Sequence, residues 1–339
     1  MLHYHPDRAG LVRRGGHGRR LRRPHRRAEP PTRAGALAVT DGVIWHAFAV
    51  SRIAIIGGGN IGEALLAGLL RSGHSPTDIV VAESVAARAR YLSDKHAVLS
   101  TGLENLADAV AGAALVVVAV KPSDVAVVTA ELSGAIARPA GAPPGQVVVS
   151  VAAGVTTGYF ESRLPPGTPV VRVMPNAPMV VGAGVSALAA GRFATEEHLN
   201  EVAGLFNSVG GVLTVAESQL DAVTAVSGSG PGYFFLIVEA LVDAAVAAGL
   251  SRPVATELVV RTMAGSAAML LDRIDDHRSP GQGSEVDTTP ARLRATITSP
   301  GGTTAAGLGE LERGGVRAAL AAAVAAAKSR SEQLGITSE

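Results

Sequence analysis

A short apolar run, Arg52–Ile56 (RIAII), leads directly into Gly57-Gly58-Gly59-Asn60-Ile61-Gly62 and then into Glu63–Arg71 (EALLAGLLR), whose apolar residues recur at helical spacing. Strand, G-x-G-x-x-G and helix in that order leave few folds open. Gly57 permits the tight turn, Gly59 lets the backbone approach a pyrophosphate, and Gly62 lets helix and strand pack closely, while the first N–H groups of the helix face the phosphates. In a chain with 40 glycines the pattern alone carries little weight. Its setting supplies the rest.

A second run, Ile79–Ala82 (IVVA), ends at Glu83, 21 residues past Gly62. Leu115–Val120 (LVVVAV) is closed by Lys121-Pro122, and Val147–Val151 (VVVSV) runs into Ala152-Ala153-Gly154. Near-continuous β-branched runs separated by helical stretches are what a buried parallel sheet requires. The fold predicted is an α/β N-terminal Rossmann-like domain with a parallel sheet, residues 51–216. Its strand ends at 57–62, 83–84, 119–122 and 151–153 would line one crevice for a nicotinamide dinucleotide. Glu83 sits where an acid would bind both ribose hydroxyls of NADH, or it is a solvated strand end. Ser84, Arg88 and Arg90 suit the 2′-phosphate of NADPH, and the balance tips to NADPH. Lys121 either neutralises phosphate or caps a strand.

Beyond Val170–Val173, Met174-Pro175-Asn176 and the short strands Val185–Leu188 and Val212–Thr214, the pattern turns helical from about Ser218. Ser227–Gly232 (SGSGPG) is expected to open a long helix at 231–249, with Pro231 at the first helical position and Ser229 just upstream near the cap. Further helices are expected at 252–272 and 315–334. The result is an all-α C-terminal domain, 217–339. Helices apolar nearly all round need more cover than one small domain gives, so a homodimer interface is expected there.

Composition narrows the partners. There is no cysteine, which excludes disulfides, thiol nucleophiles and Cys-ligated metals and suits a reducing cytoplasm. No His/carboxylate spacing suggests a metal site. Aromatics are 3%, too few for base-stacking platforms, so no nucleic acid is expected. No membrane partner is expected either, because the most apolar stretch, Tyr233–Gly249, contains Glu239 and Asp243 and falls short of a spanning length. Residues 1–50 hold ten arginines, no lysine and three acids, leaving the rest of the chain at a formal −6. That Pro-, Gly- and Arg-rich head reads as a disordered extension outside the folded enzyme, and a native start near Val50 would explain it.

The chemistry follows by elimination. Oxidising an alcohol needs a base to take its proton, yet no lysine lies between 122 and 327. His74, His96, His198 and His277 all read as solvated residues of polar or connecting segments. The helical half offers instead Thr298-Ser299-Pro300-Gly301-Gly302-Thr303-Thr304 ahead of a helix starting near Thr304. Free N–H groups and small hydroxyls there suit a carboxylate, although a plain turn with an N-cap gives the same pattern. Reducing a C=N bond asks little more, since the nitrogen needs only a hydrogen-bond partner or a solvent proton.

At this point the residues match a family. Leu293–Glu312 (LRATITSPGGTTAAGLGELE) resembles the signature of pyrroline-5-carboxylate reductases, as do Ala119–Pro122, Val151–Gly154, Met174–Asn176 and Asp221–Tyr233 (DAVTAVSGSGPGY), in the same order over about residues 52–335. The resemblance implies NAD(P)H-dependent reduction of 1-pyrroline-5-carboxylate to L-proline by a homodimer with interlocked helical domains, often assembled into a ring of dimers, with each site completed across the dimer. It implies cofactor contacts at Ile56, Gly57, Gly58, Gly59, Asn60, Ile61, Gly62, Ser84, Asn105, Ala119, Val120, Lys121, Pro122, Val151, Ala152 and Ala153. The substrate carboxylate would rest on Ser299, Gly302 and Thr303, and Thr304 would bond the ring nitrogen as the catalytic group. Two departures are the arginine-rich head and an apparent insertion, Asp275–Thr289, expected to be a mobile loop. The alternatives are a related cyclic-imine or ketoacid reductase and a dinucleotide-sensing scaffold without catalysis.

Overall fold

The computed structural model describes residues 52–136, 145–277 and 289–336. The expected head, and residues 278–288 of the insertion, lie outside the described residues.

The chain begins with β1 (Arg52–Ile56), α1 (Asn60–Arg71), β2 (Ile79–Ala82), α2 (Ala86–His96), β3 (Leu99–Thr101), α3 (Leu106–Val110), β4 (Ala113–Val118), α4 (Val125–Ala135) and β5 (Val147–Ser150). It continues through α5 (Thr157–Glu161), β6 (Val170–Met174), β7 (Gly184–Ala190), α6 (Glu196–Asn207) and β8 (Gly210–Thr214). The eight strands form one sheet in the order β3-β2-β1-β4-β5-β6-β7-β8. The strand order reverses between β1 and β4, and a crevice opens there at the strand C-termini. All neighbours run parallel except β6 and β7, which pair antiparallel, so the sheet is dominated by parallel pairs as expected. β3 escaped the sequence reading because it is a three-residue edge strand (LST) with one exposed and two half-buried residues.

Successive side chains of a strand face opposite ways. Ile53 and Ile55 of β1 therefore join Leu65, Leu66 and Leu69 of α1 and Phe206 of α6 on one face. Ala54 and Ile56 join Val110 of α3 and Val125, Val128 and Leu132 of α4 on the other. Burial on both faces is why these strands read as unbroken apolar runs.

From Glu217 the described chain is helical: α7 (Leu220–Val223), a π-helical turn (Thr224–Gly228), α8 (Gly230–Ala247), α9 (Arg252–His277), α10 (Thr289–Thr296), α11 (Thr303–Arg313) and α12 (Val316–Ile336). Ser229 does not cap α8. Its backbone is itself helical (φ −84°, ψ −21°), because the chain enters α8 through the π turn and leaves no free end to cap. The helical run is consequently longer than the sequence suggested. Glu217–Ala247 spans 31 residues and includes an 18-residue stretch with a mean hydropathy of 1.5, and Arg252–Arg273 is also long and apolar enough to cross a bilayer. The ends of the insertion are helical rather than loop, with Asp275–His277 extending α9 and Thr289-Pro290 opening α10, where proline suits a helix start. Phe234, Phe235, Leu236, Leu241, Leu258 and Met269 are exposed on α8 and α9. Large apolar side chains left exposed in such number point to a covering partner.

Candidate active site

Two groups of residues carry chemistry, and the first lies at the strand reversal. Gly57 adopts φ +100°, and a Cβ on it would lie 2.6 Å from the carbonyl oxygen of Ala119, so only glycine lets the ends of β1 and β4 meet this closely. A Cβ on Gly62 would lie 2.0 Å from the carbonyl oxygen of Gly57. Gly59 differs: a Cβ there would meet nothing within 4 Å. Its lack of a side chain keeps space open in the crevice rather than serving a protein contact. Asn60 and Ile61 open α1, which no side chain caps, so its first N–H groups remain available. An open, uncapped helix start beside a bare glycine fits a pyrophosphate.

Around this loop, Glu83 is neither solvated nor loose. It is 8% exposed, and its carboxylate accepts from the Gly58 N–H (2.8 Å), the Val85 N–H (2.9 Å) and the Ser84 hydroxyl (3.2 Å). Ser84 is exposed next to it, and Asn105 is exposed at the end of β3, where its amide donates to Thr101 Oγ1 (3.2 Å). Ala119 N–H donates to the Ile56 carbonyl (2.7 Å), which draws Ala119, Val120, Lys121 and Pro122 to the glycine loop. Val151 N–H donates to the Val118 carbonyl (3.1 Å), so Val151, Ala152 and Ala153 continue the same rim. Lys121 is exposed, and no hydrogen bond or ion pair holds its ammonium among the described residues. It is thus free for an anion instead of being spent at the strand end.

The second group opens α11. Gly301 takes φ +71°, the Gly302 N–H donates to the Ser299 carbonyl (3.0 Å), and Gly302 is the N-cap with no side-chain cap. The hydroxyls of Ser299, Thr303 and Thr304 are not used to cap the helix, and its first turn carries no acid. The run is thus a turn with a glycine N-cap, and those hydroxyls are left uncommitted. A carboxylate could take the free N–H groups, leaving a neighbouring hydroxyl to meet a polar ring atom. The main packing of α11 within the chain is on α12 and not on a strand end. One chain thus presents the two groups on different elements.

Several residues that hold these groups are invisible to motif reading. Asn176 donates to the Ser227 carbonyl in the π turn (3.1 Å) and accepts from the Val185 N–H (2.8 Å). Glu217 accepts from the N–H and the hydroxyl of Thr157 (both 2.7 Å) and pairs with the buried Arg172 at 3.4 Å. Both tie the helical part to the sheet. Glu63, one residue past the fingerprint, binds Arg88, Lys95 (2.9 Å) and His96 (3.1 Å). Its signal was the spacing of 88, 95 and 96 along one face of α2. His96 is accordingly packed against a carboxylate instead of solvated, and His198 is a helix residue whose ring reaches back to the Thr195 N–H (3.0 Å) in a capping box.

A dinucleotide crevice on a doubly wound sheet, joined to helices with uncovered apolar faces, defines a nicotinamide-dependent oxidoreductase that dimerises through its C-terminal part. Residues 217–334 match the family described as pyrroline-5-carboxylate reductase dimerisation, and residues 52–154 match one described as NADP oxidoreductase coenzyme F420-dependent. The pyrroline-5-carboxylate reductase of Mycobacterium tuberculosis (strain ATCC 25618 / H37Rv) is 62% identical over 296 residues, 86% of this chain and 99% of the relative. Among solved structures, a pyrroline-5-carboxylate reductase from Coxiella burnetii superposes with a TM-score of 0.74 at 33% identity, covering 84% of this chain and 99% of the other. A Plasmodium falciparum pyrroline carboxylate reductase with NADP bound gives 0.69 at 26% identity, covering 84% and 98%. The chain belongs to the pyrroline-5-carboxylate reductase family.

Proposed function

We propose that the chain reduces the C=N bond of 1-pyrroline-5-carboxylate to give L-proline, using NADPH or NADH. The observation that carries this reading is the uncommitted Thr304 hydroxyl at an uncapped helix start, in a chain whose other half holds an open dinucleotide crevice. A bound nicotinamide supplies the hydride. The backbone of Gly57–Gly62, with Lys121, binds the pyrophosphate, and Ser84 and Asn105 face the adenosine ribose; Ala119–Pro122 and Val151–Ala153 border the nicotinamide half. Ser299 and the N–H groups about Gly302 and Thr303 hold the substrate carboxylate, and Thr304 bonds the ring nitrogen while it gains its proton.

Because α11 packs on α12 and the apolar faces of α8 and α9 are uncovered, the partner subunit completes each site, with residues 51–216 as the dinucleotide domain and 217–339 as the dimerisation and substrate domain. Further assembly into a ring of dimers and a cytoplasmic location complete the proposal, the latter supported by the absence of cysteine. The two long apolar helices fall in the part matched by the dimerisation family, which supports a protein partner for them. The test is NADPH and NADH oxidation with pyrroline-5-carboxylate and with its six-membered homologue. Faster turnover of the larger ring would sink the proposal in favour of a related imine reductase, and dinucleotide binding without turnover of either would favour a sensor.

A further inference from the structure

Gly58 is held at both ends of its peptide units. Its N–H donates to Glu83 Oε2 (2.8 Å), and its carbonyl accepts from Arg88 Nε (2.7 Å). Arg88 thus lies at the end of β2, beside the position where the ribose 2′ substituent of a dinucleotide falls. Its guanidinium is nevertheless engaged elsewhere. Nη2 pairs with Glu63 on α1, and the guanidinium carbon stands 4.9 Å over the Tyr91 ring. Of the five donors in the fork, those on the Nε and Nη2 side serve the protein. Glu63 is itself fixed, since Lys95 and His96 bind its other oxygen. Arg90, two residues further, projects about 200° round the helix and is exposed, so it does not replace Arg88.

A 2′-phosphate approaching this corner would meet two carboxylates and an arginine whose Nε and Nη2 are already engaged. A 2′-hydroxyl meets no such competition. We infer that Glu63 sets the choice between NADPH and NADH, by holding Arg88 back from the ribose 2′ position. Glu63 is a positioning residue in this role, and the inference rests on the crevice being a dinucleotide site. Burial pushes the Glu63 carboxyl up, but hydrogen bonds from Lys95, His96 and Arg88 outweigh it and leave it at about 2, so the restraint is present at every working pH.

The test is calorimetric binding of NADPH, NADH, 2′,5′-ADP and 5′-AMP to the full chain and to Glu63→Gln, Arg88→Ala and the double variant. Glutamine keeps the size and loses the charge. The ratio of affinities for 2′-phosphorylated over unphosphorylated ligands should rise about tenfold in Glu63→Gln, the worth of one freed charge-assisted hydrogen bond. In the double variant the ratio should return to that of Arg88→Ala. Arg88→Ala alone should change it by less than about threefold, since Arg88 is held back in the parent. An unchanged ratio in Glu63→Gln overturns the inference, as does a rise that survives in the double variant, which would be bulk charge and not Arg88. A large selective loss of NADPH in Arg88→Ala alone overturns it too, and this arm decides even if Glu63→Gln does not fold. Binding of none of the four ligands to the parent would reject the dinucleotide reading itself along with the inference.

Discussion

Substituting Gly59 and Gly62 separately by alanine distinguishes a glycine kept for a ligand from one kept for packing. At Gly62 the new Cβ would fall 2.0 Å from the Gly57 carbonyl oxygen and 3.4 Å from Ile55 Cγ2. Contact at an ordinary distance requires a shift of about 1.4 Å or more, and the obstacle is backbone, pinned by the Gly57 N–H bond to the Ala82 carbonyl at 2.8 Å. Helix propensity favours alanine by roughly 0.5–1 kcal/mol, but overpacking costs about 1–3 kcal/mol, so a net loss of about 1–2 kcal/mol is expected. The same shift moves the start of α1 off its phosphate position, and a misplacement of that size costs about a hundredfold. Gly59 has φ −68° and open space beyond it, a conformation alanine adopts without strain. Stability should therefore rise by about 0.4–1 kcal/mol through the unfolded chain alone, while dinucleotide affinity falls at least tenfold because the methyl occupies the ligand's space. Thermal melts and nicotinamide fluorescence titrations of both variants check this. Wild-type dinucleotide affinity in Gly59→Ala would refute the placement of the pyrophosphate, whatever Gly62→Ala does.

Three other outcomes are expected. Thr304→Ala should lower kcat by roughly ten- to a thousandfold, as for a positioned group that acts in the transition state, whereas Ser299→Ala should raise KM for the imine and spare kcat, since the carboxylate is charged throughout; steady-state kinetics showing only KM effects in both would reduce Thr304 to a carboxylate ligand. The Glu63 carboxyl is at about 2 in the folded chain against an ordinary 4.5, so its contribution to stability is full above 4.5 and is lost as pH falls through 2; melting temperatures of Glu63→Gln should depend less on pH over that window than those of the parent. Phe235 is 70% exposed on α8, and Phe235→Glu forfeits about 2–3 kcal/mol per copy, twice over at a two-fold interface, so light scattering should show the monomer at micromolar concentration.

The dinucleotide half was legible because several constraints coincide on few residues. The alternation of Ile53 and Ile55 against Ala54 and Ile56, and a fingerprint at the strand reversal, admit one topology. The edge strand Leu99–Thr101 was not legible, since three residues with little burial carry no periodic signal. The π turn at Thr224–Gly228 was missed for another reason: Ser229 and Pro231 look like a helix start, while the bond from Asn176 to the Ser227 carbonyl and the packing of α12 on the turn are tertiary. The bonds of Glu83 and Arg88 to Gly58 lie beyond sequence reading as well. An acid and an arginine near a ribose are compatible with either cofactor, and what separates the two is which donors are already engaged.

Burial divides the chain unevenly, and this bears on how the chemistry is assembled. The two large clusters of buried residues both lie on the sheet. From Glu217 onward, by contrast, buried residues are sparse along the described helices, with Leu220, Ala225, Val242 and Ala255 among them, and α11 has none. Ordering a residue costs about 1–2 kcal/mol of backbone entropy, and helices with so little cover in their own chain must recover that cost against a partner. The dinucleotide crevice needs no such help, because the glycine loop, Glu83 and the ends of β4 and β5 are fixed by bonds within one chain. The two halves of the chain are thereby of unequal independence. Cofactor binding should survive dissociation, whereas turnover should disappear with the dimer, so that the chemistry is available only where the subunits have met.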